Sequence, residues 1–545
     1  MDKIAGSATK IAIDKGIFIC YHEEKSRRES FCMKYTVVSS SEFTYPDIWE
    51  YDSASDKADL FGARGGFATC QILVGEMTDA TLPVTVSGLP DGVETEVYTL
   101  RAVPVEANPG IKDENRGPHY PEREAPYWLY DCLRTYDGTV DLTDGVGGVY
   151  LALKLAKDAT PGVYPLTLQV GEMTVPATLQ VYAAVLPEET LDIMQGFDSG
   201  AVAKWHGLEM GSPAYYEMEQ KYLRCLRRMH QNIKRCGGVT FERVGENQFK
   251  FDFSGLRNQI ERYRKAGFAK IKAPAIGRRK HHAESTIYLF GEIPAMSYEG
   301  YCFLTQYLPQ LKALLEEYGV LDGVTMSVAD EPNANSATEF RALCGLIHRI
   351  APEIKLADAL SYGNIHGALD VWIPLNSEYD RHQEAWESFR AAGGELWHYV
   401  CCGPRSPGYI NRFMDYPLLS TRYLHWGNYR HNLSGYLHWA VNCYQPGQNP
   451  FESNCPVHTN VGQTIVLPSG DSHIIYPGTD GPWISMRLEA ERESAEEYEL
   501  LRTLAEKDKA LADDICQTVF RSFKDVEYDV RVFDANRRRL LEALS

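Results

Sequence analysis

A chain of 545 residues is too long for one core, so two or more domains are expected. Hydrophobic content of 44% and charged content of 24% are ordinary for a globular protein. The net charge of −19 argues against general nucleic-acid or anionic-membrane binding, and no run of about 18 apolar residues marks a membrane span.

The N-terminus, Met1 to Gly6, lacks the long apolar stretch of a signal peptide, which predicts a cytoplasmic protein. A chain missing its native leader would instead be secreted. Residues 1–187 read as a β-sandwich domain. Leu166, Leu168 and Val170 alternate with Thr167 and Gln169, and Val175 to Tyr182 repeats the pattern after Gly171. Period-two segments broken by Gly, Asp and Pro indicate antiparallel sheets. Leu186-Pro187 reads as the exit linker.

Residues 188–545 alternate strands with helices. Strands are predicted at 193–197, 233–236, 269–276, 324–329, 354–360, 371–375, 396–400 and 435–440. Helices are predicted at 218–229, 256–265, around 304–315, then at 337–350, 381–391, 417–429 and 483–504. About eight strand–helix units spell an α/β fold, a (β/α)8 TIM-like barrel with C-terminal helices. The stretch from Gln445 to His473 is rich in Pro, Asn and Gly and reads as a loop over the barrel mouth.

The most informative run is Val324 to Pro332. Apolar residues lead into two adjacent acids, Asp330 and Glu331, and Pro332 follows. Neighbouring side chains on a strand face opposite ways, so two such acids can share a site only where the strand ends and turns. In a barrel that is the catalytic end. The same residues also fit a solvated turn.

Trp372, Trp397, Trp426 and Trp439 lie in or beside predicted barrel elements. Trp372 and Trp439, near strand ends, are the candidates for stacking on sugar faces. Asn442, Asn376 and Tyr379 follow strands and are candidates for sugar hydroxyls. His230, Gln231 and Asn232 fall at the barrel's other end and read as structural, and His398 and His438 read as core. The basic run Arg278 to His282 follows the third strand on the catalytic face. It fits a solvated loop, or an anionic-glycan subsite with Arg278 in it. The 13 cysteines include no Cys-x-x-Cys, and the adjacent pair Cys401-Cys402 has poor geometry for a shared disulfide or metal. They read as reduced thiols. No metal site, cofactor loop or serine elbow is expected.

Several ordered stretches resemble glycoside hydrolase family 123. They are Ser327 to Pro332, Leu369 to Pro374, Glu395 to Cys401, Arg422 to Trp426, Gly435 to Asn442, Ile475 to Gly478 and Ser485 to Ala490, with Ala159 to Tyr164 in the β-rich part. The resemblance implies β-N-acetylgalactosaminidase activity by a substrate-assisted, retaining mechanism with an adjacent Asp-Glu pair. In that reading Asp330 orients the sugar's acetamide and Glu331 is the general acid. Tyr399, at a strand end, is the candidate for the acetamide oxygen. No cofactor is implied; the partner is a glycan, an anionic one if the basic loop faces it. Two other readings fit the residues. One is a glycosidase for a sugar lacking a 2-acetamido group, the other a non-catalytic carbohydrate-binding protein.

Overall fold

The computed structural model of the chain describes residues 33–545 apart from 110, 112–116, 118, 282, 361–364, 366, 406–407 and 461–462. Its N-terminal part is sheet-rich. One sheet joins Lys34–Ser39, Phe67–Gly75, Gly147–Leu155, Val93–Val105 and Tyr127–Thr135 in antiparallel ladders. A four-stranded sheet holds Ala58–Arg64, Met173–Val185, Gly162–Val170 and Val84–Ser87. The alternation read from the sequence carries through. Leu166, Leu168 and Val170 are buried while Thr167 is exposed. They share one core with Ile72, Val149 and Leu151 of the first sheet. Val170 pairs with Met173, so Gly171 and Glu172 make a two-residue hairpin turn with Gly171 at φ +57°.

The second part is a parallel sheet of eight strands curled into a nearly closed barrel. In chain order they are β1 (Asp192–Gln195), β2 (Ile233–Arg235), β3 (Lys270–Ala273), β4 (Thr325–Met326), β5 (Lys355–Leu360), β6 (Val371–Pro374), β7 (Glu395–Tyr399) and β8 (Gly435–His438). β1 pairs with β8, and the ladder then runs in order down to β2. At the seam between β1 and β2 the Asn232 side chain bridges the gap. Its Oδ1 accepts from Ile193 N at 3.0 Å and its Nδ2 donates to Leu191 O at 2.9 Å.

Alternation sorts each strand into an inner and an outer set. Met194, Ile233, Ala357, Ala359, Val371, Ile373, Trp397, Tyr399 and Leu437 form the buried interior. Ile193, Ile271, Met326, Leu356, Trp372, Leu396 and Tyr436 face outward into the core shared with the helices. Three expectations change. β4 is only two residues long, and its predicted remainder is a turn. The expected helix at 417–429 is two, Leu418–Arg422 and Leu424–His431. Trp483 is not helical. Pro482–Ser485 is a strand that joins the N-terminal sheet, where Ile484 pairs with Leu133 and Ser485 with Cys132.

That strand leads into the helix Met486–Lys507, which is buried for most of its length although it is rich in charge. Its charges are paired in both directions. Toward the sheets, Arg487 meets Asp131 at 2.9 Å and Glu493 accepts from Thr69 Oγ1 at 2.7 Å. Toward the barrel, Glu491 meets Arg412 at 3.1 Å and accepts from Gln195 Nε2 at 2.6 Å. Arg422 bridges Glu493 and Glu497. Charges removed from water are tolerated only when paired and hydrogen-bonded in this way.

Candidate active site

The acids stand on the turn that follows β4. Three bonds converge on the buried Asp358 carboxylate of β5: the Ser327 hydroxyl, Val328 N at 2.8 Å and Ala329 N at 3.1 Å. They pull the chain out of strand geometry, and Glu331 then adopts φ +47°. A left-handed non-glycine residue costs about 1–2 kcal/mol. Arg279 offsets that cost, because its Nη2 donates to the carbonyl oxygens of Asp330 at 2.9 Å and Glu331 at 2.6 Å. Consecutive residues can thus present carboxylates to one mouth.

Their surroundings differ. Asp330 is exposed, and Glu331 is half-buried. Tyr399, buried at the end of β7, donates its hydroxyl to Glu331 Oε1 at 2.9 Å. Burial first, and then the neighbouring Asp330 charge, raise the pKa of Glu331; the Tyr399 bond and Arg279 pull the other way. One acid in water beside one biased toward its proton is the pairing that acid–base chemistry requires.

The inner register brings further groups to the mouth. Arg235 ends β2 and is the direct Cα partner of Lys272 on β3. Lys272 is buried, and burial lowers its pKa against the pull of Asp358 and Asp330. Trp439, just past β8, is half-buried. Its Nε1 donates to Asp471 Oδ2 at 3.0 Å, and its ring lies 5.4 Å from that of His458. His458 comes from a hairpin, Val457–Asn460 with Gln463–Val466, inside the segment expected to be a plain loop.

Several sequence-predicted residues lie elsewhere. Trp372 faces outward, fully buried, stacked on Phe389 at 4.0 Å, and so cannot meet a sugar. Asn442 is buried and clamps Asp198 through its backbone N and O, at 2.8 and 2.9 Å. Asn376 is buried and donates to Ile410 O at 3.0 Å. Tyr379 is buried and donates to Glu387. The Arg278 guanidinium lies against Gly291, where a Cβ would collide with it, while Lys280 sits over the Tyr288 ring at 3.9 Å. Arg278 and Lys280 are thus each set against a neighbouring residue, Gly291 and Tyr288. The useful member of the basic run is Arg279, and His282 lies outside the described residues. Tyr399, expected on the acetamide, gives its hydroxyl to Glu331. Arg235, Lys272, Arg279, Asp358 and His458 escaped sequence reading. For the three barrel-strand residues, Arg235, Lys272 and Asp358, a signal existed, since a charge inside an otherwise apolar parallel strand is out of pattern.

Among the described residues no group of three His, Cys, Asp or Glu could hold a metal, and no helix is long and apolar enough to cross a membrane. The described cysteines are free thiols.

The model of the family described as glycoside hydrolase 123, catalytic domain, matches residues 197–504. A search of the curated proteins found no match. Among solved structures, a family 123 glycoside hydrolase from Clostridium perfringens, studied for glycolipid glycan hydrolysis, superposes with a TM-score of 0.71 at 15% identity, covering 94% of this chain and 98% of that one. At that identity the likeness speaks for the fold. A putative beta-galactosidase from Bacteroides fragilis (TM-score 0.29, 12% identity, 76% and 57% covered) and xylanase 10B from Thermotoga petrophila (0.33, 11%, 57% and 95%) are too distant to carry an argument.

Proposed function

The chain belongs to glycoside hydrolase family 123, and from that premise we propose that it is a retaining glycosidase releasing N-acetyl-β-hexosamine, with galactosamine favoured, by a substrate-assisted mechanism. The observation that supports this reading is the turn after β4, which offers two adjacent carboxylates in unlike surroundings. Glu331 gives its proton to the leaving oxygen as the bond from C1 to that oxygen breaks. The sugar's own acetamide oxygen attacks C1, so no enzyme nucleophile is needed. Asp330 accepts the acetamide N–H and offsets the positive charge of the oxazolinium ion. Glu331, now a base, takes a proton from the water that reopens the ring, and the β configuration returns. Tyr399 holds the Glu331 carboxyl in place throughout. Trp439 offers an apolar face for the sugar, with His458 beside it.

Hydrolysis of 4-nitrophenyl N-acetyl-β-galactosaminide, with the first-formed anomer followed by NMR, tests the reading. Release of the β-anomer and strong inhibition by a thiazoline mimic of the bicyclic intermediate are expected. A trapped covalent glycosyl-enzyme, or equal turnover of the 2-hydroxy sugar, would move the assignment to a glycosidase that does not use the acetamide. Sugar binding without any hydrolysis would make the chain a carbohydrate-binding protein.

A further inference from the structure

The mouth of the barrel holds a cation that the chemistry above does not use. Arg279 is committed to the carbonyls of the catalytic turn. Lys272 is buried and attracted by Asp358 and Asp330. Arg235 is placed differently. Ile233, two residues earlier on β2, belongs to the barrel interior, so Arg235 shares the inward face at the end that opens into the mouth. Its side chain is exposed and makes no hydrogen bond or ion pair with any described residue. The chain carries 74 acids against 55 lysines and arginines, so carboxylates to neutralise Arg235 were abundant. None of the described ones is set against it, and its cross-strand partner is another cation, Lys272.

Position narrows what Arg235 could meet. β3 separates β2 from β4, so the two strands lie about 10 Å apart. The C4 and C6 oxygens lie on the edge of the ring opposite C1, so a terminal sugar with C1 at Glu331 and its ring extended toward β2 would bring them to Arg235. A guanidinium suits an oxyanion through paired N–H donors, and the ammonium beside it adds to the positive potential.

We propose that Arg235, with Lys272 at its side, is a subsite for a sulfate ester on the C4 or C6 oxygen of the terminal N-acetylhexosamine. This rests on reading the site as an N-acetylhexosaminidase. It replaces the basic run 278–282 as the source of any preference for an anionic glycan.

The test compares kcat/KM for 4-nitrophenyl N-acetyl-β-galactosaminide with its 4-sulfate and 6-sulfate, at low and high salt, in the native enzyme, Arg235→Gln and Arg235→Lys. One sulfated substrate should be preferred roughly ten- to a hundredfold at low salt, the scale of a hydrogen bond to a charged group. Added salt should shrink the preference. Arg235→Gln should bring the sulfated-to-neutral ratio to about one, and Arg235→Lys should keep part of it. A native preference for the neutral substrate would overturn the proposal. So would an equal loss on all three substrates in Arg235→Gln, which would mean that Arg235 holds sugar hydroxyls. Neutral turnover reports separately on the function. If none of the three is hydrolysed, that reading fails, and calorimetric binding of N-acetylgalactosamine and its 4- and 6-sulfates decides the subsite. Tighter sulfated binding that Arg235→Gln abolishes keeps the proposal; equal binding overturns it.

Discussion

Replacing Tyr399 with Phe tests how the proton on Glu331 is held. The Tyr399 hydroxyl donates to Glu331 Oε1 at 2.9 Å and so favours the ionised carboxylate. A hydrogen bond to a charged group is worth about 1.5–3 kcal/mol. At about 1.4 kcal/mol per pKa unit, its loss should raise the Glu331 pKa by about 1–2 units. The other groups acting on that carboxyl stay in place. Asp330 raises its pKa and Arg279 lowers it. The Phe ring keeps the packing of Tyr399 in the barrel interior. The profile of kcat/KM against pH reports the free enzyme. Its basic limb, where Glu331 loses the proton, should move up by about 1–2 pH units in Tyr399→Phe, with the acid limb unmoved. A basic limb that stays put or moves down would refute this account of the acid.

Asp330→Asn should shift the same limb the opposite way, because the Asp330 charge is what adds to burial in raising the Glu331 pKa; turnover falls as well, and the direction of the limb is the measurement. Glu331→Gln should lower kcat/KM by about 10²–10⁴ for natural glycosides yet spare aryl glycosides whose leaving groups need no proton, and equal losses would count against a general acid. The two candidate tryptophans should part company. Trp439→Ala should raise KM with little change in melting temperature, whereas Trp372→Ala, in the outer core, should cost about 3–5 kcal/mol of stability by denaturant unfolding. Arg422→Met leaves Glu493 with Arg492 alone and Glu497 with Arg537 alone in the buried network, and should cost about 1–3 kcal/mol in the same assay.

The barrel was legible because strands buried on both faces read as apolar runs, and the acid pair stood out because it interrupts one. The phase of the alternation was not legible. Trp372 and Trp397 both sit in strands, but Val371 and Ile373 take the inner positions of β6, while Trp397 takes one on β7. Nothing local distinguishes those outcomes. Contacts distant in sequence were equally hidden. Asn442 is held by Asp198, 244 residues away, and the strand Pro482–Ser485 exists because Leu133 and Cys132 complete its ladder. The turn at Glu331 was inferred from Pro332, but its supports, Asp358 and Arg279, arrive from neighbouring strands and loops that only folding brings together.

The helix Met486–Lys507 bears on how this enzyme can be engineered. A barrel is usually thought of as portable, able to be excised and fused to new partners. Excising this one by removing the first 187 residues would strand Arg487 without Asp131, Glu493 without Thr69 and Glu489 without Tyr150. The strand Pro482–Ser485 would lose its neighbour as well. The exposed stump would be a helix whose charges are arranged for a dry surface that is no longer there. The sheets therefore complete the packing around this helix on the outside of the barrel, and a truncation series should treat the two parts as one unit.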